Sequence, residues 1–170
     1  MESKTYFFQP EKKALKQGFF LQDENEKTVY EAKMLKQPLF GPMVFDFINH
    51  ISNRTTQHQV GKTVTSETSG ALGFISTKSY FKYDGKKIWD YLHEQGIRIN
   101  SSIATNKLGM VYSVTLRGED MATIASAAPN NSKAIVTGGS CYNVTTSEEN
   151  LDLAFLTAFA FVRTGQAFYS

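Results

Sequence analysis

A single cysteine, Cys141, among 170 residues excludes an intrachain disulfide, and with it the stapled class of small secreted domain. Charge of one sign is also lacking. Eighteen lysines and arginines stand against 16 aspartates and glutamates, and the lysines are spread from Lys4 to Lys133. Non-specific phosphate binding depends on concentrated positive charge, so no nucleic-acid partner is expected. Histidine is scarce: His50, His58 and His93 are eight and thirty-five positions apart, which is no compact ligand spacing, and neither metal nor cofactor is expected. The stretch from Met1 to Pro10 holds no apolar run long enough for a signal-peptide core, which argues for a cytoplasmic location. The glycosylation-type triplets at Asn53, Asn100, Asn130 and Asn143 then carry no weight.

What the chain does have, repeatedly, is alternation of apolar and polar side chains, the period-two signature of a strand with one buried face. Tyr30, Ala32 and Met34 share one face against Glu31 and Lys33, and Met110, Tyr112, Val114 and Leu116 share another against Ser113, Thr115 and Arg117. Turn-forming clusters at Asp23-Glu24-Asn25-Glu26, Asp84-Gly85, Arg117-Gly118-Glu119-Asp120 and Pro129-Asn130-Asn131 punctuate these runs. The clearest hairpin joins Met110–Leu116 to Met121–Ala127 across Gly118. Further short strands are expected at 6–9, 18–22, 43–50, 57–65, 72–83, 97–103, 134–137 and 142–145. So many short strands in one domain of this length point to a barrel or sandwich.

Two segments carry helical spacing instead. Over 86–95, Ile88, Tyr91 and Leu92 recur on one face and Gly96 is placed to end the helix, which suits a surface helix lying over a barrel end. The second helix follows Thr146-Ser147-Glu148-Glu149, where Thr146 and Glu149 have capping-box spacing. Leu151, Ala154, Phe155, Ala158, Phe159 and Val162 form one face, while Leu153, Leu156, Ala160 and Phe161 cover most of the rest. A helix apolar on all sides must be enclosed by protein or by lipid. Only ten uncharged residues run between Asp152 and Arg163, whereas a bilayer needs about twenty, so no transmembrane segment is expected and Leu151, Phe155, Phe159 and Val162 are assigned to a core helix.

Many short strands followed by a hydrophobic terminal helix, here Asn150-Leu151-Asp152-Leu153-Ala154-Phe155-Leu156-Thr157-Ala158-Phe159-Ala160-Phe161-Val162, resembles the tubby C-terminal-like superfamily. That group includes LURP-one-related proteins, phospholipid scramblases and small bacterial proteins. The resemblance implies a mainly β domain spanning 1–170, a closed or nearly closed antiparallel barrel of about twelve strands around the buried helix. Scramblase-type calcium-binding, palmitoylated-cysteine and proline-rich regions are lacking, and the phosphoinositide-holding cationic pair of tubby maps onto no residues here, so those members' activities do not carry over.

Catalytic patterns fail on context. Gly138-Gly139-Ser140-Cys141-Tyr142 has the look of a papain-type nucleophile stretch, but all three histidines precede Cys141 and none follows it. Gly61-Lys62-Thr63 ends like a phosphate loop, but Thr56 stands where its first glycine belongs. Carboxylates that folding could bring together are Asp46, Glu67, Asp84 and Asp90. Of these Asp46, alternating with Val44 and Ile48, reads as inward or partly covered, with a solvent-facing edge or salt-bridged barrel position as the plainer alternative, and Asp152 is expected to sit favourably in the first turn of the terminal helix. Two lysine clusters, Lys12, Lys13 and Lys16 together with Lys86 and Lys87, are candidates for an anionic-lipid or phosphate surface at the membrane periphery. The reading that follows is a non-enzymatic binding or scaffold module using its outer barrel surface, with an anionic phospholipid or a protein as partner and the oligomeric state left open. Its alternative is a small-ligand barrel or an enzyme with carboxylates around an interior cavity.

Overall fold

The computed structural model describes residues 2–10, 18–36, 39, 41–69, 74–103, 110–126 and 141–164. Among the described residues there are eleven strands: β1 Lys4–Pro10, β2 Phe19–Gln22, β3 Thr28–Lys36, β4 Met43–Asn49, β5 Arg54–Ser69, β6 Phe74–Tyr83, β7 Lys86–Lys87, β8 Ile97–Ile103, β9 Met110–Leu116, β10 Glu119–Ser126 and β11 Tyr142–Thr146. A short helix, α1, covers Ile88–Glu94, and a longer one, α2, covers Leu151–Thr164. The expected strand at 134–137 and the turn at 129–131 lie outside the described residues.

All strands join one antiparallel sheet in the order β7-β6-β5-β4-β3-β2-β1-β11-β10-β9-β8. The mainly β architecture is therefore as expected, with eleven strands among the described residues. Among the described residues no hydrogen-bonded pairing joins the β7 edge to the β8 edge. The chain itself links these edges through α1, whose seven residues span roughly 10 Å at the helical rise.

Inward alternation explains which side chains meet. Phe8, Leu21, Ala32, Phe45, Phe47, Val60, Val114, Ile124 and Val144 are all buried in one core. The β9–β10 hairpin turns through Arg117 and Gly118, both at positive φ (53° and 85°), the pair of left-handed residues that a two-residue hairpin turn demands. At the end of α1, Gly96 sits at φ +92°, and a Cβ there would lie 2.8 Å from Arg117 Cγ. That approach locks the α1–β8 corner against the β9–β10 turn.

The apolar terminal helix is enclosed. Phe155 touches the rings of Phe8 on β1, Tyr30 on β3 and Phe47 on β4. Phe159, one turn on, touches Phe19 on β2, Phe45 on β4 and Phe81 on β6. Phe161 on the remaining side meets Trp89 of α1, Tyr112 of β9 and Tyr142 of β11. Since β6 and β9 are each second from an edge, the sheet curls around α2 from both directions. Thr157, fully buried mid-helix, turns its hydroxyl back to donate to the Leu153 carbonyl at 2.7 Å, so this hydroxyl is not left without a partner.

Two expectations need correction and two are sharpened. Val162 is partly buried and packs against the core, whereas Leu151, Phe155 and Phe159 are fully buried. The capping box does not form. Thr146 ends β11 and its hydroxyl donates to the Met121 carbonyl at 3.0 Å, so α2 is entered instead through one 3-10 turn, Glu148–Asn150, with no side-chain cap from Ser147. Lys86 and Lys87 belong to β7 rather than to the short helix, and α1 buries Ile88, Trp89 and Leu92 while exposing Asp90, His93 and Glu94, so it is half a core element. Asp46 takes the partly covered, outward alternative and not the inward one: Phe45, Phe47 and Asn49 are the buried set on β4, which places Val44, Asp46 and Ile48 on the outer face. Two aromatic rings on one parity outweigh the aliphatic pair on the other.

Candidate binding groove

Among the described residues Lys86, Lys87, Asp46 and Asp90 are not brought together in one site, whereas Asp84 and Asp152 each join a polar cluster. Lys12, Lys13 and Lys16 lie outside the described residues. Lys86 donates to Glu94 at 2.9 Å and Lys87 is partly buried. Asp46 accepts from Gln57 at 3.3 Å and lies opposite Lys33 on β3. Asp90 is exposed on α1, and the side chain of Glu67 is outside the description. Cys141 is buried against Phe7 on the outside of β1, while Gly138, Gly139 and Ser140 lie outside the described residues. Among the described residues no group of three or more histidine, cysteine or acidic side chains is arranged to hold a metal ion, and no helix is long and apolar enough to cross a membrane.

Two polar clusters that sequence spacing did not reveal lie on the inner face of β5, whose Arg54, Thr56 and His58 stand opposite Asn49, Phe47 and Phe45. The first surrounds Asp152. Its carboxylate accepts from Asn49 Nδ2 at 3.3 Å and pairs with the Arg54 guanidinium. Asn49, buried, uses its oxygen to accept from the backbone N–H groups of Ile51 and Ser52 at 3.0 and 3.1 Å, so one side chain folds the β4–β5 turn and anchors the start of α2. The Tyr30 hydroxyl also hydrogen-bonds Asp152; burial first, and then the Asp152 charge, push its pKa far above the ordinary tyrosine range.

In the second cluster His58 stacks on Tyr83 at 4.5 Å between ring centroids, with Nδ1 2.7 Å from Asp84 Oδ2 and Nε2 2.9 Å from the Thr56 hydroxyl. Asp84 Oδ1 accepts from the Gln59 N–H at 2.8 Å. A hydroxyl, imidazole and carboxylate in series have the connectivity of an activated nucleophile. Here, however, the acid belongs to the β6–β7 turn, its N–H donates to the Gln59 carbonyl on β5, and its side-chain contacts likewise tie that turn to β5. The series reads as a clamp on the β6–β7 corner.

Tyr83 beneath it is also pushed far above the ordinary range, by burial and then by Tyr91 and Asp84. The sign of the resulting linkage is fixed. Above about pH 10 the unfolded chain releases tyrosine protons that folded Tyr30 and Tyr83 retain, so the unfolded state binds fewer protons and stability falls as pH rises. The urea midpoint should therefore drop between about pH 9 and about pH 11, and Tyr83→Phe should make the drop shallower. A midpoint unchanged across that window would contradict the burial of these hydroxyls.

At the same end of the sheet as the start of α2 lies an open groove of about 960 Å³, at the upper end of the range for ligand sites. Its walls come from the start of β1, the β2–β3 turn, the β4–β5 turn and Glu148 ahead of α2. These walls are built firmly. Asp23 accepts from the N–H groups of Asn25 and Lys27 at 2.9 and 3.0 Å, and His50 N–H donates to the Val29 carbonyl at 2.9 Å. Glu2, Asp23, Glu24 and Glu148 face Lys4 and Lys27 around it, so the acids exceed the lysines by two. Lys4 is itself 3.5 Å from Glu148. Tyr6 lines the groove from β1; it is 3% exposed, and its buried hydroxyl has no hydrogen-bond partner. Burial, and then the Glu148 charge, raise its pKa.

Compared with models of known protein families, with curated proteins and with solved structures, the chain matches none.

Proposed function

We propose that this chain is a non-catalytic binding module that engages a partner protein at its outer surface, through the groove at the α2 entry end. The observation that carries this reading is where space exists. Among the described residues the inner side of the sheet is occupied by Phe155, Phe159 and Phe161 of α2, whereas an opening of about 960 Å³ lies outside, between turns. This supports the outer surface over the interior cavity that a small-ligand barrel or barrel enzyme would use. Sheet strands that contact α2 from both ends of the strand order also support a barrel of the tubby C-terminal-like kind, with α1 as its covalent closure.

An anionic phospholipid is less well supported as the partner. Of the lysines that would meet it, Lys86 is bound to Glu94, and the groove carries more acid than base. Selection of a displayed random peptide library on the full-length chain tests the proposal, with counter-selection on an Ile51→Arg variant that obstructs the groove at an exposed turn position. Enrichment of peptides that bind the wild type and not the variant is the expected result. No groove-dependent peptide, or retention of the chain on phosphatidylserine vesicles in its place, would overturn the protein-partner reading.

A further inference from the structure

The groove's chemistry specifies its occupant more narrowly, on the premise that the groove is the binding surface argued above. Three features of its lining must be satisfied together. The first is a buried hydroxyl, Tyr6 Oη, that has a proton to donate and no acceptor. An unmet buried donor is an unstable arrangement that an incoming acceptor relieves. Because burial and Glu148 both hold the proton on this oxygen, it meets a ligand as a donor.

The second feature is the acidic rim. Asp23 is committed to its own turn and Glu148 is shared with Lys4, but Glu2 and Glu24 are exposed on the rim and enter no ion pair among the described residues. An anionic occupant would be repelled there, and a cationic one drawn in. The acids are not gathered closely enough to coordinate a metal ion, so the complementary charge must be spread along the occupant. The third feature is apolar: Val29 is buried in the wall and Ile51 is 38% exposed at the lip. Long aliphatic stems that end in a charge cover such a surface while their heads reach the rim.

We infer that the groove holds an extended lysine- or arginine-bearing segment of a partner protein, with one of its backbone carbonyls accepting from Tyr6 Oη and its cationic heads facing Glu2 and Glu24. A peptide supplies acceptor, stems and charge on one chain. A free polyamine brings the charge without the carbonyl, and an acidic lipid headgroup brings the wrong charge.

The peptides selected on the full-length chain provide the test. Those that depend on the groove should be enriched in lysine and arginine, and their affinity should fall as salt rises. Tyr6→Phe should weaken them about three- to tenfold, the effect of one net hydrogen bond. The same substitution should not lower the urea midpoint of the unliganded chain, because it removes a hydroxyl that has no partner. Glu2→Gln with Glu24→Gln should weaken binding about tenfold or more, while Asp90→Asn, exposed on α1 away from the groove, should leave it unchanged.

Groove-dependent peptides without basic enrichment, or basic ones indifferent to Tyr6→Phe, would overturn this assignment and leave the binding-module reading standing. Spermine competing as well as the peptides, equally on wild type and Tyr6→Phe, would overturn it in favour of a small cation. Finding no groove-dependent peptide at all would defeat both readings.

Discussion

Phe159→Ala should lower the folding free energy by about 3–5 kcal/mol, the range for deleting a fully buried aromatic ring. The ring has no exposed surface and lies between β2, β4 and β6, with centroids 5.4 Å from Phe19, 5.9 Å from Phe45, 5.5 Å from Phe47 and 6.0 Å from Phe81. Three strands that are not consecutive in the sheet order cannot all close on a vacated ring without breaking their own pairing, so most of the cavity would persist. Val162→Ala, at a partly exposed position one turn further on, should cost under about 1 kcal/mol by comparison. Urea denaturation of the two variants measures the contrast. A Phe159→Ala loss as small as that of Val162→Ala would mean that α2 lies against the sheet and is not enclosed by it.

The second large effect is expected at Asp152, where the cost arises from neighbours more than from the carboxylate itself. Asp152→Ala removes the acceptor for two buried groups, Asn49 Nδ2 and the Tyr30 hydroxyl, and leaves the start of α2 without its first-turn acid. Each buried donor left unmet costs about 1–3 kcal/mol, and partial hydration at this half-exposed end keeps the total near 2–4 kcal/mol. The exposed Arg54 returns to water at little cost. Asp152→Asn keeps an acceptor oxygen of the same shape, so its loss should be about 1 kcal/mol or less. Thermal or urea unfolding of the pair separates the two contributions. Equal losses for alanine and asparagine would mean that charge, through Arg54 and the helix dipole, outweighs the hydrogen bonds.

The strands that could be read in advance are those where one parity is plainly apolar. Tyr30, Ala32 and Met34 are buried as their alternation implies, and Ile97–Ile103 forms a strand over the residues expected. β4 left its inner face open because both parities are apolar: Val44 and Ile48 compete with Phe45 and Phe47, and a shift of one residue reverses the face. The Thr146–Glu149 spacing misled for a different reason. A threonine at a strand end has more than one backbone group within reach, and here the Met121 carbonyl on β10 wins.

None of the groove was legible. Its lining comes from four chain segments, and Tyr6 reads in sequence as one more strand aromatic. The alternation of ordinary strand residues carries no mark of which hydroxyl is left without a partner, because that depends on what the neighbouring strands bring alongside.

Local periodicity and length alone were enough to establish a β-rich chain with one helix too apolar to face water and too short to cross a bilayer, since both properties are carried by adjacent residues. Which polar groups meet was a matter of long-range closure. Asn49 and Asp152 are 103 residues apart, and His58 and Asp84 are 26 apart. The Asn49–Asp152 contact forms only once α2 lies against the sheet, whereas His58 and Asp84 meet across the paired strands β5 and β6. In each case, as for the groove and the unmet Tyr6 hydroxyl, the strand order and the direction of each turn, not the residue types, decide which side chains come together.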